Sequence, residues 1–112
     1  MDKSLMAGST TLLVLALLRE GDQYGYQMIS RLAERSDQTF QLREGTLYPI
    51  LHGLEREKCV TSYLKQADTG RERKYYHITP KGLERLEEKT QEWMMFTQKV
   101  NGVTFGTAPG LV

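Results

Sequence analysis

The most constraining feature of the chain is a short stretch in its middle. Leu47, Ile50, Leu51 and Leu54 stand at offsets of 0, 3, 4 and 7, the apolar stripe of a helix with one buried face. Pro49 lies inside that stripe. Proline lacks the backbone N–H and is tolerated best in a helix's first turn, where that donor has no partner anyway. The spacing therefore predicts a helix that starts at about Gly45 or Thr46. Its opposite face carries Tyr48, His52, Glu55 and Arg56. A helix this short holds its shape only when other elements cover its apolar back.

Those elements are legible on both sides. Ser9 to Arg19 is almost continuously apolar, so a first helix is expected, buried on more than one side. Glu20-Gly21-Asp22 ends it, and Asp22 is the expected cap of a second helix from Gln23 to Arg35. There Met28, Ile29, Leu32 and Ala33 fall at helical spacing. A polar connector, Ser36 to Gln41, leads to the third helix. Beyond it, Val60 to Gln66 alternates and Arg73 to Ile78 is β-prone, with the polar tip Ala67 to Gly70 between them, which predicts a two-stranded hairpin. Tyr76 shares a face with Ile78 and is expected in the core. Thr79 then Pro80 reads as an N-cap with proline at the first helical position, opening a fourth helix to about Val100. Such a helix is roughly 30 Å long. Gly102 to Val112 reads as a loose tail. The expected organisation is residues 1–79, then the helix 80–101, then the tail 102–112.

Composition narrows the classes. The chain has 112 residues, 39% hydrophobic and 26% charged, which suits one ordered globular domain. Leu12 to Leu18, the longest apolar run, is far short of the roughly 20 residues that span a membrane, so no membrane partner is expected. Cys59 is the only cysteine. That excludes an internal disulfide and a cysteine-based zinc site, and fits a reducing cytoplasm. Net charge is +1, yet residues 56–74 carry six basic side chains against three acidic ones. A local basic patch on a near-neutral body is the result.

Three helices, a hairpin and a further helix form the order of a winged helix-turn-helix, a mainly α fold with a β-hairpin (α+β). A third helix with a polar front fits the DNA major groove, and a basic hairpin beside it reaches the backbone. On the hairpin Lys65, Arg71, Arg73 and Lys74 interleave with Tyr63, Tyr75 and Tyr76. Arg73 and Lys74 are either phosphate contacts or members of a solvated charged surface. On the fourth helix Leu83, Leu86, Thr90, Trp93, Thr97 and Val100 follow alternating steps of three and four, and Met94 and Phe96 widen the stripe. A helix that overhangs so small a domain either meets a second copy, giving a homodimer, or folds back over its own core. Trp93 is then either a plain interface residue or one wall of a slot where a flat apolar molecule stacks. His52, His77 and Cys59 have no partner nucleophile, metal-spaced cluster or phosphate loop around them, so catalysis, a metal and a cofactor are not expected.

Three stretches add a resemblance. Tyr24-Gly25-Tyr26-Gln27-Met28-Ile29, then Gly45-Thr46-Leu47-Tyr48-Pro49-Ile50-Leu51 followed by Leu54-Glu55, and last Arg71-Glu72-Arg73-Lys74-Tyr75-Tyr76-His77-Ile78-Thr79 with Gly82, resemble in order the motifs of the PadR family of bacterial transcriptional regulators, in its short form with one C-terminal helix. Lys58 stands where the family usually has glycine at the end of helix three, so a left-handed cap there would be strained, and Gly53 stands where a basic residue is common. The resemblance implies a dimeric repressor whose C-terminal helices, with helix one, form the dimer, and whose third helix and wing bind a palindromic operator. It further implies release by a small phenolic or drug-like effector. The expected DNA contacts are Tyr26, Gln27, Thr46, Tyr48, His52, Arg71, Arg73 and Lys74, and the expected dimer face is Leu83, Leu86, Thr90, Trp93, Phe96, Thr97 and Val100. The rival reading is a winged helix that has lost DNA binding and acts as a protein-interaction module through its long helix.

Overall fold

A computed structural model describes residues 8–106. Four helices and three strands follow in the order α1 (Thr10–Arg19), β1 (Gln23–Tyr24), α2 (Gly25–Arg35), α3 (Glu44–Arg56), β2 (Val60–Gln66), β3 (Glu72–Ile78) and α4 (Pro80–Phe105). The core is where the apolar stripes of these elements meet. Val14, Leu15 and Leu18 of α1 pack with Met28 and Leu32 of α2, Leu47, Leu51 and Leu54 of α3, Val60, Tyr76 and Ile78 of the sheet, and Leu86 of α4. Tyr76 is 1% exposed, as expected from its face.

The sheet differs from expectation by one strand. Its order is β1-β3-β2, antiparallel throughout. Gln23 and Tyr24, expected as the start of the second helix, instead pair with Tyr76 and Tyr75. Two residues carry too little pattern to be seen as a strand; the backbone of β3 supplies the pairing. Asp22 therefore does not cap α2. Tyr24 is the N-cap, and the Gln27 side-chain oxygen accepts its backbone N–H at 3.2 Å. Gln23 turns inward, and its amide donates to the carbonyls of Leu17 (2.6 Å) and Gly21 (3.0 Å), closing the C-terminal end of α1.

α3 begins at Glu44, so Pro49 lies in its second turn instead of its first. The Gly45 carbonyl thereby loses its helical donor, and Gly45 is exposed. The helix nevertheless ends on Lys58 at φ 63°, the left-handed conformation that is strained for a non-glycine residue. Thr79 caps α4 by accepting the Gly82 N–H at 3.1 Å, while its hydroxyl donates to the Lys58 carbonyl at 2.7 Å. A side chain at residue 82 would collide with the Cys59 carbonyl and stand 2.6 Å from Ile78 Cγ1, so glycine is what lets α4 leave the core at this point.

α4 runs on through Gly102 to Phe105, past the end expected near Val100. Residues 102–105 of the tail expected over 102–112 are therefore helical, and 107–112 lie outside the described residues. Only Gly82 and Leu86 of α4 are buried. The helix is about 39 Å long, and the molecule reaches 60 Å in its longest dimension. None of the helices among the described residues is long and apolar enough to cross a membrane.

Candidate nucleic-acid interface

One open cleft of about 300 Å³ lies where the N-terminal turns of α2 and α3 meet the wing formed by β2 and β3. Tyr24, Gly25 and Tyr26 border it from β1 and α2, Glu44 and Tyr48 from α3, and Glu72, Arg73 and Lys74 from β3. Its position follows from local chemistry. Gly25 has no side chain, and Tyr48 fills the space: a methyl group at residue 25 would meet the Tyr48 hydroxyl and stand 2.9 Å from its ring carbon Cζ. The two helices of the helix-turn-helix are thus locked by a tyrosine lying on a glycine.

The structure sorts the expected contacts. Tyr26 is 62% exposed at the α2 N-terminus. Thr46 and His52 are exposed on α3, and Arg71 and Lys74 on the wing. Tyr48 is half-buried, packed against the core and 6.4 Å from the His52 ring, so its ring is placed between helices and not on the outward ridge of α3. Gln27 is partly occupied by capping Tyr24. Arg73 is half-buried, its guanidinium 5.2 Å over the Tyr24 ring, and its buried Nε has no hydrogen-bond partner. The Lys74 ammonium lies 5.7 Å over Tyr76. Each cation keeps donors free while a ring fixes its direction.

Two features were left out of the expected DNA contacts. The outward ridge of α3 is Gly45, Pro49, His52 and Arg56, at spacings of four, three and four, and all four are exposed. Arg56 belongs with the contact candidates, because it is an exposed cation on that ridge. Helical angle alone would have found it. The second feature is the carboxylate of Asp22, which accepts the Tyr63 hydroxyl at 2.7 Å and meets His77 Nδ1 at 2.8 Å. Partial burial works to raise the pKa of Asp22, but the bonds from Tyr63 and His77 outweigh it and hold the carboxyl below its usual value. The same bond pushes the Tyr63 phenol up to about 12.

On α4, Trp93 is 42% exposed and its ring lies 6.1 Å from that of Phe96. Leu83, Met94, Met95, Phe96, Val100 and Val103 are exposed too. Leu86, expected on the same outward face, is instead 3% exposed in the protomer's own core, because α4 crosses the body there before leaving it. Thr90 and Thr97 return their hydroxyls to the Leu86 and Trp93 carbonyls, at 2.8 and 3.0 Å. Cys59 is fully buried, and among the described residues no three His, Cys, Asp or Glu side chains could hold a metal ion.

Known proteins agree with this geometry. The profile of the PadR-like transcriptional regulator family matches residues 14–88. An uncharacterised protein of Lysinibacillus sphaericus is 34% identical over 89 residues, covering 80% of this chain and 82% of that one. The transcriptional regulator YqjI of Escherichia coli is 24% identical over 101 residues, and the chain spans about half of its length, 47%. Among solved structures, a transcriptional regulator of Clostridium thermocellum superposes with a TM-score of 0.82 at 31% identity, covering 90% of this chain and 98% of the other. A PadR-like transcriptional regulator of Bacillus cereus gives 0.77 at 35%, covering 89% and 95%. The Escherichia coli, Clostridium thermocellum and Bacillus cereus relatives are transcriptional regulators. A profile match over most of the chain, joined to a shared winged helix, shows that the chain belongs to the PadR-like family of DNA-binding transcriptional regulators.

Proposed function

We propose that the protein acts as a homodimeric repressor that grips an inverted-repeat operator through the cleft face. The observation that carries this reading is the convergence of three elements on one cleft: the N-terminal turns of α2 and α3, and the paired cations Arg73 and Lys74. In this reading α3 enters the major groove with Thr46, His52 and Arg56 forward. Its low ridge of Gly45 and Pro49 lets the backbone approach the base edges closely. Tyr26, Gln27, Arg71, Arg73 and Lys74 hold the phosphates, while Tyr48 sets the angle between α2 and α3. Glu44 and Glu72 share the cleft, so the phosphodiester crosses its rim on the Arg73 and Lys74 side.

The dimer is carried by α4. Trp93, Thr97 and Val100 lie on one helical face with Thr90 and Leu83, flanked by Phe96. A second copy of the same face covers them around a two-fold axis. Trp93 and Phe96 then offer aromatic walls for a flat, apolar effector, which releases the DNA by moving one protomer against the other. As an operator occupant the protein acts by occlusion. Residues 1–79 form the DNA-binding unit and α4 the dimerisation unit.

Selection of duplexes from a random library by the full-length protein tests the reading. The expected product is an inverted repeat with half-site centres about 10 bp, or a multiple of that, apart, since two α3 helices must reach the same face of the duplex. Enrichment of a single asymmetric half-site, or of nothing, contradicts it.

A further inference from the structure

The outer face of the wing, turned away from the core, holds a continuous series of ring contacts that the DNA-binding reading leaves unexplained. It begins at Asp22, in the turn between α1 and β1. Asp22 is held there by Gly21 at φ 153°, a backbone state that favours glycine, and by the neighbouring Gln23 amide on the Leu17 and Gly21 carbonyls. Its carboxylate takes the Tyr63 hydroxyl of β2 at 2.7 Å and His77 Nδ1 of β3 at 2.8 Å. The Tyr63 ring stacks on Tyr75 with centroids 5.7 Å apart and planes 14° apart. Tyr75 meets Tyr24 edge-on at 5.4 Å and 80°. Tyr24 lies beneath the Arg73 guanidinium at 5.2 Å. The buried Nε of Arg73 has no hydrogen bond, so the ring is what fixes this cation.

We propose that Asp22 is the positioning residue of the wing: through Tyr63, Tyr75 and Tyr24 it sets the direction of the Arg73 guanidinium at the cleft before DNA arrives. The inference rests on the DNA-binding reading of that cleft and adds to it a residue that touches no nucleic acid. Two physical features support it. The contacts join segments 41 and 55 residues apart in the chain, so local sequence does not hold them together. And aromatic rings stacked or set edge-on have preferred geometries, so a tilt at Tyr63 is passed to Tyr75 and Tyr24. Order in the unbound wing lowers the entropy cost of fixing Arg73 on a phosphate.

The sign of a charge effect tests this. Asp22→Ala removes a negative charge from a DNA-binding protein, and by charge alone the variant should bind more tightly. Positioning predicts the opposite. A labelled duplex selected by the wild-type protein should bind Asp22→Ala about threefold to tenfold more weakly, the range expected for one loosened cation–π contact. Asp22→Asn, which still accepts the Tyr63 hydroxyl, should recover part of the loss. In an Arg73→Ala background, Asp22→Ala should have almost no further effect. Thermal melts identify any variant that has simply unfolded. A second readout needs no DNA: the Arg73 Nε–H resonance in a nitrogen–proton spectrum of the full chain. In the wild type it should be displaced by the Tyr24 ring current, and in Asp22→Ala it should move toward the position of a free arginine. Binding as tight as wild type by Asp22→Ala, an equal loss with and without Arg73, or an unmoved Nε–H resonance overturns the proposal. Failure of the wild type to bind any duplex overturns the DNA reading instead, and the resonance still decides whether Asp22 places Arg73.

Discussion

At the residue scale, the fold depends on a few positions where a side chain is either required or forbidden, and two helical glycines separate these cases. Gly82 sits against the Cys59 backbone carbonyl and Ile78. Backbone has little room to give, so Gly82→Ala should cost about 1–3 kcal/mol, the scale of overpacking. At Gly53 an added methyl would meet only Arg56 Nη2, at 3.8 Å. Gly53→Ala should therefore stabilise α3 by roughly 0.5–1 kcal/mol, the helix-propensity gain. Thermal melts of the two variants check both; a rise for Gly82→Ala would contradict the packing assigned to residue 82, and a fall for Gly53→Ala the open space assigned to residue 53. Asp22 gives a pH dependence. Its folded pKa lies below the ordinary carboxylate value, so its contribution is full above about pH 4, the unfolded value, and is lost as pH falls through the folded one. Asp22→Asn should destabilise at pH 7, and the difference should close in acid. A difference that stays constant down to pH 3 would rule out the ionised carboxylate as its source.

At the element scale, what could be read from the chain and what could not divide along physical lines. The stripes of α1, α2 and α3 report burial directly, whereas the alternation of β2 locates the strand but not its burial, since Val60 is buried and Leu64 on the same side is 65% exposed. β1 was illegible because two residues have no period, and its pairing is decided by β3. The α3 start differs by a residue, because the Arg43 carbonyl takes the Thr46 and Leu47 N–H groups and extends the helix ahead of Pro49. Of the site, exposed Thr46, His52, Tyr26 and Lys74 follow from helix face or hairpin position. The placement of Tyr48 between helices does not, since it depends on the bare Gly25 lying across from it. Arg56 was visible as part of the polar front, and its helical spacing from His52 and Pro49 puts it on the ridge. If α3 reads bases, Arg56→Ala should reduce affinity for a selected duplex by about 1–3 kcal/mol and relax preference at one base pair. Equal losses on selected and random duplexes would make Arg56 a phosphate contact instead.

At the scale of the whole molecule, the geometry sets a body with the cleft proposed to face DNA at one side and a helix of exposed apolar residues extending from it. From Glu87 on, no residue of α4 is buried by its own protomer, and Val103 is 89% exposed. Phe96, Val103, Val100, Trp93 and Met94 span an arc wider than one facing helix covers, so the proposed dimer would set the partner's α1 beside its α4. Trp93→Ala should weaken such a dimer by about 3–5 kcal/mol, the cost of deleting a large buried aromatic. Sedimentation at decreasing concentration checks this, and an unchanged dimer would take Trp93 out of the interface. The account's central claim is that the cleft flanked by α2, α3 and the wing is where the phosphates are held. Salt dependence tests it most directly. The affinity of the wild type for a duplex should fall linearly on a log–log plot against salt concentration, through release of condensed counterions. Arg73→Ala with Lys74→Ala should reduce the slope by about one to two units, equally on selected and random duplexes. A slope unchanged by the double substitution would contradict the claim and place the phosphates elsewhere on the protein.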